Sequence, residues 1–461
     1  MAQTRDKLDS SRMGEMPEGK LLLTLAVPMM LSMLVQALYN VVDSVYVARV
    51  SEDCLSALSL VFPAQNVMIG LGTGTGVGVG TLISRALGSR DQKQAGKVAG
   101  TATALAICCW ALMAAFGIFG AGAFIRSQSN VESIRSYALS YLRIVTIASL
   151  PLYGQVCVER FLQSTGRTRL SMWTQMIGAV TNIILDPVFI FGWFGLPAMG
   201  PAGAAIATVI GQTVAAVVGV VFHLKLNREL PLRPADIRVD WHLTKDIYRI
   251  GFPSILMMCI GSVTNYMMNI ILGGFTSTAV AVYGVYFKIQ SFFFMPVFGI
   301  NNGIIPIIGY NYGARKKERI YRTIRYGVLY AAFFMTLGLL AFQTIPAVLL
   351  GIFDPSETML AIGVPALRRI SLSYLPAAFC IVAGSACQAL DKSMASFFVS
   401  VLRQVVALIP SAWLLSLTGN VNNVWWCFPI AEVVSLAASI YFLRSALRAM
   451  EKRLAQLAEK G

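Results

Sequence analysis

The chain has 461 residues, 56% of them hydrophobic and only 13% charged, with a formal net charge of +15. Soluble domains run at about a quarter charged residues, so a water-soluble enzyme or binding module is excluded. Apolar runs of 18 or more residues mark membrane helices, and this chain has many.

The first twenty residues are polar and lack the short apolar core and small-residue cleavage site of a signal peptide. The first apolar segment is therefore expected to stay in the protein. Apolar runs between charged or turn-rich breaks predict twelve spans, at 21–48, 54–84, 98–125, 134–158, 170–194, 201–224, 247–273, 278–311, 324–350, 359–388, 395–417 and 424–447. Each run is continuous rather than alternating, which predicts helices and not barrel strands.

Lys and Arg then set the orientation. The two terminal tails and the even-numbered loops hold 29 of the 37 basic residues, among them Arg85, Arg90, Lys225, Arg228 and the Arg315–Arg325 cluster. Opposite loops such as GWFGLPAMGPAG and LTGNVNN carry none. The positive-inside rule places both termini and the even loops in the cytoplasm. The basic excess is a topology signal and requires no nucleic acid.

Sliding the chain by 225 residues puts special residues on their own kind. Pro28 meets Pro253, Asn40 meets Asn265, Gln65 meets Gln290, and Gly74 and Gly78 meet Gly299 and Gly303. Arg90, Arg143, Pro151 and Gln163 meet Arg315, Arg368, Pro376 and Gln388. The predicted architecture is thus all-α, with twelve transmembrane helices in two parallel six-helix repeats: a cytoplasmic tail over 1–20, an N-lobe over 21–226, a cytoplasmic linker over 227–245, a C-lobe over 246–447 and a tail over 448–461. Transporters built from parallel repeats hold substrate between the halves.

The charges break this symmetry. Asp43 corresponds to Met268, Asp186 to Ser411, Asn182 to Ala407 and Thr208 to Val433. In span 1, Gln36, Tyr39, Asn40 and Asp43 share a face by three- and four-residue spacing, and Asn182 and Asp186 share one in span 5. A carboxylate at mid-membrane costs roughly 2.5–3.5 kcal/mol, so an intramembrane aspartate marks function. Two carboxylates with amide and hydroxyl oxygens can take a proton or bind a small cation such as Na⁺. The alternative is that each aspartate pairs with a basic neighbour such as Arg49, or satisfies helix-packing hydrogen bonds.

In the second half, Lys288, Arg403 and Glu432 are read as a structural ion cluster. The run GLGTGTGVGVG lacks the Lys-Ser/Thr of a nucleotide loop and lies inside a span, which points to close helix packing. The eight cysteines, with no C-x-x-C pair, are read as buried small hydrophobes, and no metal-cofactor or disulfide framework is expected.

Twelve spans in two parallel halves, LYNVVDSVYVARV in span 1, GTGVGVGTLISRALGSRD at the end of span 2 and TNIILDP in span 5 resemble the multidrug and toxic compound extrusion (MATE) family, closest to its MepA-like and DinF-like bacterial branches. The resemblance implies a V-shaped pair of bundles in a bacterial cytoplasmic membrane. It implies a monomeric, non-enzymatic exporter of small drug-like compounds, driven by H⁺ or Na⁺ without any other cofactor. Asp43, Asn182, Asp186 and Thr208 match that family's N-lobe proton or Na⁺ site, with Asn40 beside it, and Pro28 matches a helix-bending proline. Gln36, Tyr39, Tyr153, Asn265, Tyr266 and Gln290 lie on spans that the family places around its drug cavity. The chain departs from the NorM-like branch: span 7 has no acid and span 10 has only Asp391 at its end, so a C-lobe site of that kind is not expected. The alternative function is a flippase for lipid-linked or polysaccharide precursors, which would be expected to carry a strongly basic cavity.

Overall fold

A computed structural model describes residues 12–128, 131–353 and 355–459, apart from some helical side chains, that of Asn40 among them. Every described element is helical, as a bilayer demands: backbone N–H and C=O groups find no water there and must pair within their own segment. The N-terminal half runs through α1 (Glu18–Ala48), α2 (Glu52–Gly88), α3 (Gln92–Ala115), α4 (Glu132–Ile147), α5 (Leu150–Ser164), α6 (Thr168–Phe191) and α7 (Pro201–Leu226). The C-terminal half follows with α8 (Trp241–Gly273), α9 (Ser277–Gly313), α10 (Lys317–Thr344), α11 (Glu357–Ser371), α12 (Tyr374–Ala389), α13 (Ser393–Val401), α14 (Ile409–Ser416) and α15 (Cys427–Glu459). A π turn, Leu402–Leu408, joins α13 to α14.

Among the described residues ten helices, some continued across a short break, are long and apolar enough to cross a membrane. The count reaches twelve if the bent pairs α4–α5 (48°) and α11–α12 (50°) each make one span. The sequence predicts each pair as a single run because both bends lie inside apolar sequence. Pro151 and Pro376, just after each bend, supply the cause, since proline has no N–H to continue the preceding helix.

The repeat is visible in local geometry. Ser51 and Thr276, 225 residues apart, cap α2 and α9 by accepting from the N–H of Cys54 (3.2 Å) and of Ala279 (3.1 Å). Arg90 and Arg315, at equivalent turns after those helices, both take left-handed backbone, with φ of 61° and 58°.

The chain forms two compact units. Unit 1 contains Leu31–Ile255; unit 2 contains Met16–Met30 and the described residues from Leu256 onward. The divisions fall inside α1 and α8 at repeat-equivalent points rather than in the 227–245 linker. Glycine explains this. A Cβ on Gly78 would sit 2.2 Å from the Ile247 carbonyl oxygen, and one on Gly74 would sit 2.8 Å from that of Gly251, so α2 lies directly against the first half of α8. In unit 2, a Cβ on Gly299 would meet the Met30 backbone at 2.7 Å, so α9 lies against the first half of α1. The core of unit 2 is otherwise aromatic, with Tyr374 edge-on to Phe294 and Phe342 at 5.3 and 5.4 Å.

Gly78→Ala is therefore expected to lower the melting temperature of the detergent-purified protein, costing roughly 1–3 kcal/mol through overpacking. Gly284→Ala, where an added Cβ meets nothing within 4 Å, is the matched control and should hold or raise stability. Equal melting temperatures for the two variants would contradict the close-packing account.

Candidate functional site

The site lies inside unit 1, where α1, α6 and α7 bring four polar side chains together. α6 and α7 approach closely because both carry glycine at the crossing: a Cβ on Gly178 would lie 3.0 Å from the Gly211 carbonyl oxygen, and one on Gly211 would lie 2.8 Å from that of Gly178. Asn182 and Asp186 follow Gly178 at four-residue steps, so the glycine face of α6 becomes its polar face one turn on. Thr208 stands one turn before Gly211 on α7.

With its amide nitrogen turned toward Asp186, Asn182 donates to Asp186 Oδ2 at 3.0 Å. Its oxygen then accepts from the Thr208 backbone N–H at 3.0 Å and from the Thr208 hydroxyl at 3.3 Å. Asp186 is fully buried and Asp43 is 9% exposed. Asp43 Oδ1 and Asp186 Oδ1 are both buried without a hydrogen-bond partner. The two carboxyl groups are near enough to repel each other when ionised. Among the described residues neither has an ion pair, so the pairing with Arg49 considered as an alternative does not form.

Buried unsatisfied acceptors cost about 1–3 kcal/mol each, more when charged. Two facing carboxylates compound that cost, and a single bound cation relieves both. The oxygens present (two carboxylates, an amide carbonyl and a hydroxyl) are hard donors of the kind that hold a proton or Na⁺, with no soft ligand for a transition metal. Among the described residues no cluster of three or more His, Cys, Asp or Glu exists.

Tyr39 belongs to the same cluster, its hydroxyl facing Thr208 and within electrostatic reach of Asp43. Tyr141, which sequence reading missed, also faces Asp43. Its hydroxyl accepts from Gln65 Nε2 at 3.0 Å. In the sequence Gln65 stands out only as a repeat position; Tyr141 has no signal in one sequence, since α4 bears two tyrosines, Tyr137 and Tyr141, and only packing selects the inward one. The side chain of Asn40 lies outside the described residues.

The remaining predicted positions separate by unit. In unit 1, Gln36 is exposed, whereas Tyr153 is 2% exposed, donates to the Met68 carbonyl at 3.3 Å and packs on Gly72. In unit 2, Asn265 accepts from the Tyr283 hydroxyl at 3.2 Å, Tyr266 is 64% exposed, and Gln290 has a buried Oε1 without a partner. Pro28 is buried within α1. The expected three-residue ion cluster of the second half reduces to two: Arg403 meets Glu432, while Lys288 is exposed, 5.9 Å above the Phe353 ring.

The MatE family model matches residues 28–188 and again 253–414, starting at positions 225 residues apart. The chain is 24% identical over 426 residues to a multidrug export protein MepA of Staphylococcus saprophyticus, covering 92% of this chain and 93% of that one. A Staphylococcus aureus protein of the same name is 25% identical over 441 residues, with 94% and 95% covered. Among solved structures, an outward-facing multidrug resistance MATE family transporter of the MOP superfamily superposes with a TM-score of 0.90 at 22% identity, over 96% and 98% of the two chains. A MOP superfamily transporter from Pyrococcus furiosus, described as having a binding pocket of reverse polarity, gives 0.88 at 23% identity over 95% and 98%. With both halves matched by the family model, the chain belongs to the MatE family of multi-pass membrane transporters and is not an enzyme.

Proposed function

We propose that the chain is a secondary active multidrug exporter, moving small, often cationic or amphipathic compounds outward in exchange for H⁺ or Na⁺ by alternating access. The observation that carries this reading is the pair of buried carboxylates Asp43 and Asp186 in unit 1, each with a buried oxygen, Oδ1, that lacks a hydrogen-bond partner. The name shared by the staphylococcal relatives, multidrug export protein, supports the cargo class.

The coupling ion binds at Asp43 and Asp186, with Asn182 and Thr208 completing the oxygen set. Ionised and empty, the site holds two like charges away from water; filled by one cation, it holds a single net negative charge and the repulsion between the pair is relieved. Any rearrangement that keeps the pair buried therefore favours the ion-bound form, and that differential affinity is what coupling requires. α1 carries Asp43 and also Pro28, which cannot hydrogen-bond to the preceding turn and so marks where α1 can bend. Tyr39 and Gln36 are the proposed drug contacts of unit 1, and Tyr266 and Gln290 offer similar chemistry in unit 2. Aromatic faces suit organic cations.

Asp43→Asn is expected to give a folded protein that binds drug but fails to concentrate it in inverted vesicles under an imposed ion gradient. Asp186→Asn should weaken the dependence on that ion. Ser411→Ala, at the repeat-equivalent of Asp186, should leave uptake near wild type. Wild-type uptake by Asp43→Asn, at equal expression, would overturn the reading.

The same reading puts both termini in the cytoplasm of a bacterial cytoplasmic membrane. In a background without native cysteines, a membrane-impermeant thiol reagent added outside is expected to label a cysteine at Asn422 and spare one at Lys316. The reverse pattern would invert the topology.

A further inference from the structure

Unit 2 also contains a buried carboxylate with an incomplete set of partners. Glu432, on α15, is 6% exposed. Its Oε2 stands 3.9 Å from Arg403 Nη1, and its Oε1 is buried with no hydrogen-bond partner. Ser435 and Ser439 follow it on the same helix face, 0% and 3% exposed, and both hydroxyl oxygens are likewise without partners. The Cys380 thiol of α12 lies against Glu432, Ser435 and Ser439, and Tyr286 of α9 is the other titratable group near the carboxylate.

A buried structural salt bridge is normally short, often two-pronged, and satisfies both carboxylate oxygens, because only then is desolvation offset. This one is long, single-pronged and leaves one oxygen bare. The backbone beneath Arg403 is unusual too: Arg403 lies in the π turn Leu402–Leu408, a widened turn of a kind found often at functional sites. At the repeat-equivalent positions unit 1 has Gly178 and Ala207, so the close helix crossing there is replaced in unit 2 by a charged pair.

We propose that Glu432 is a second proton-binding site of this transporter. Ionised, it pairs with Arg403. When it takes one proton from the aqueous phase, the bare oxygen side becomes a donor to the Ser435 or Ser439 hydroxyl. Arg403, whose side chain is 32% exposed, is then released from the pair with its charge reaching the outside of the unit. Relaxation of the π turn by one residue would carry Arg403 away from α15, giving the protonation a structural consequence. Only that consequence for export rests on the ion-coupled reading above; proton binding at Glu432 does not.

The test is infrared difference spectroscopy of the purified full chain through a pH step, which reads protonated buried carboxyls directly. A protonated-carboxyl band is expected that survives Asp43→Asn combined with Asp186→Asn, is lost in Glu432→Gln, and shifts in frequency in Glu432→Asp. Because Glu432→Gln alone leaves Arg403 without its partner, Arg403→Gln with Glu432→Gln supplies a neutral pair of similar shape; it should fold and also lack the band. In vesicles that double variant should lose part of the pH dependence of export. An unchanged carboxyl spectrum in both Glu432 variants would overturn the inference and leave the unit 1 site untouched. Normal export by Asp43→Asn would instead overturn the ion-coupled reading, while the Glu432 band persisted.

Discussion

Two carboxylates held in one membrane bundle, with no ion pair to a basic side chain among the described residues, set the terms for this protein. Asp43 and Asp186 each present a buried oxygen with no partner, and the groups around them (Asn182, Thr208, Tyr39 and Tyr141) are neutral. In a medium of low dielectric, like charges at short range cannot both remain ionised at small cost. The arrangement is thus suited to one exchangeable positive charge. A permanent Lys or Arg would relieve that repulsion for good and leave little to exchange.

The scaffold that holds this pair is a duplicated one made asymmetric. Helix caps, left-handed turns, bends and glycine crossings recur at an interval of 225 residues. The same glycine logic lets α2 lie on the first half of α8, and α9 on the first half of α1. Polar groups do not follow the repeat. Unit 1 has Gly178 and Gly211 at the α6–α7 crossing and places Asn182 and Asp186 one and two turns away. Unit 2 spends the corresponding positions on Arg403, its π turn and an aromatic core. Backbone geometry is shared because packing requires it, whereas charge is placed separately in each half.

Much of this was legible in the sequence for definite reasons. Membrane spans are readable because every apolar run must be long and uninterrupted, and the repeat is readable because Pro and Gly cannot be exchanged freely at bends and crossings. Asp43, Asn182 and Asp186 stand out because polar groups at such depth are costly. Three features were not legible. The bends between α4 and α5 and between α11 and α12 lie inside apolar sequence. Tyr141 and Gln65 become neighbours of the site only through contacts 76 residues apart in the chain. The division of α1 and α8 between units depends on tertiary packing, and no local signal marks Met30 or Ile255.

The most direct test of the central claim counts ions displaced when drug binds to the purified transporter, using a pH indicator for H⁺ and an ion-selective electrode for Na⁺. The account predicts that wild type releases one or the other on drug addition, and that the variant carrying Asp43→Asn and Asp186→Asn binds drug with no such release. Ion release of wild-type size from that double variant would show that drug and ion do not compete through these carboxylates, and would contradict the account.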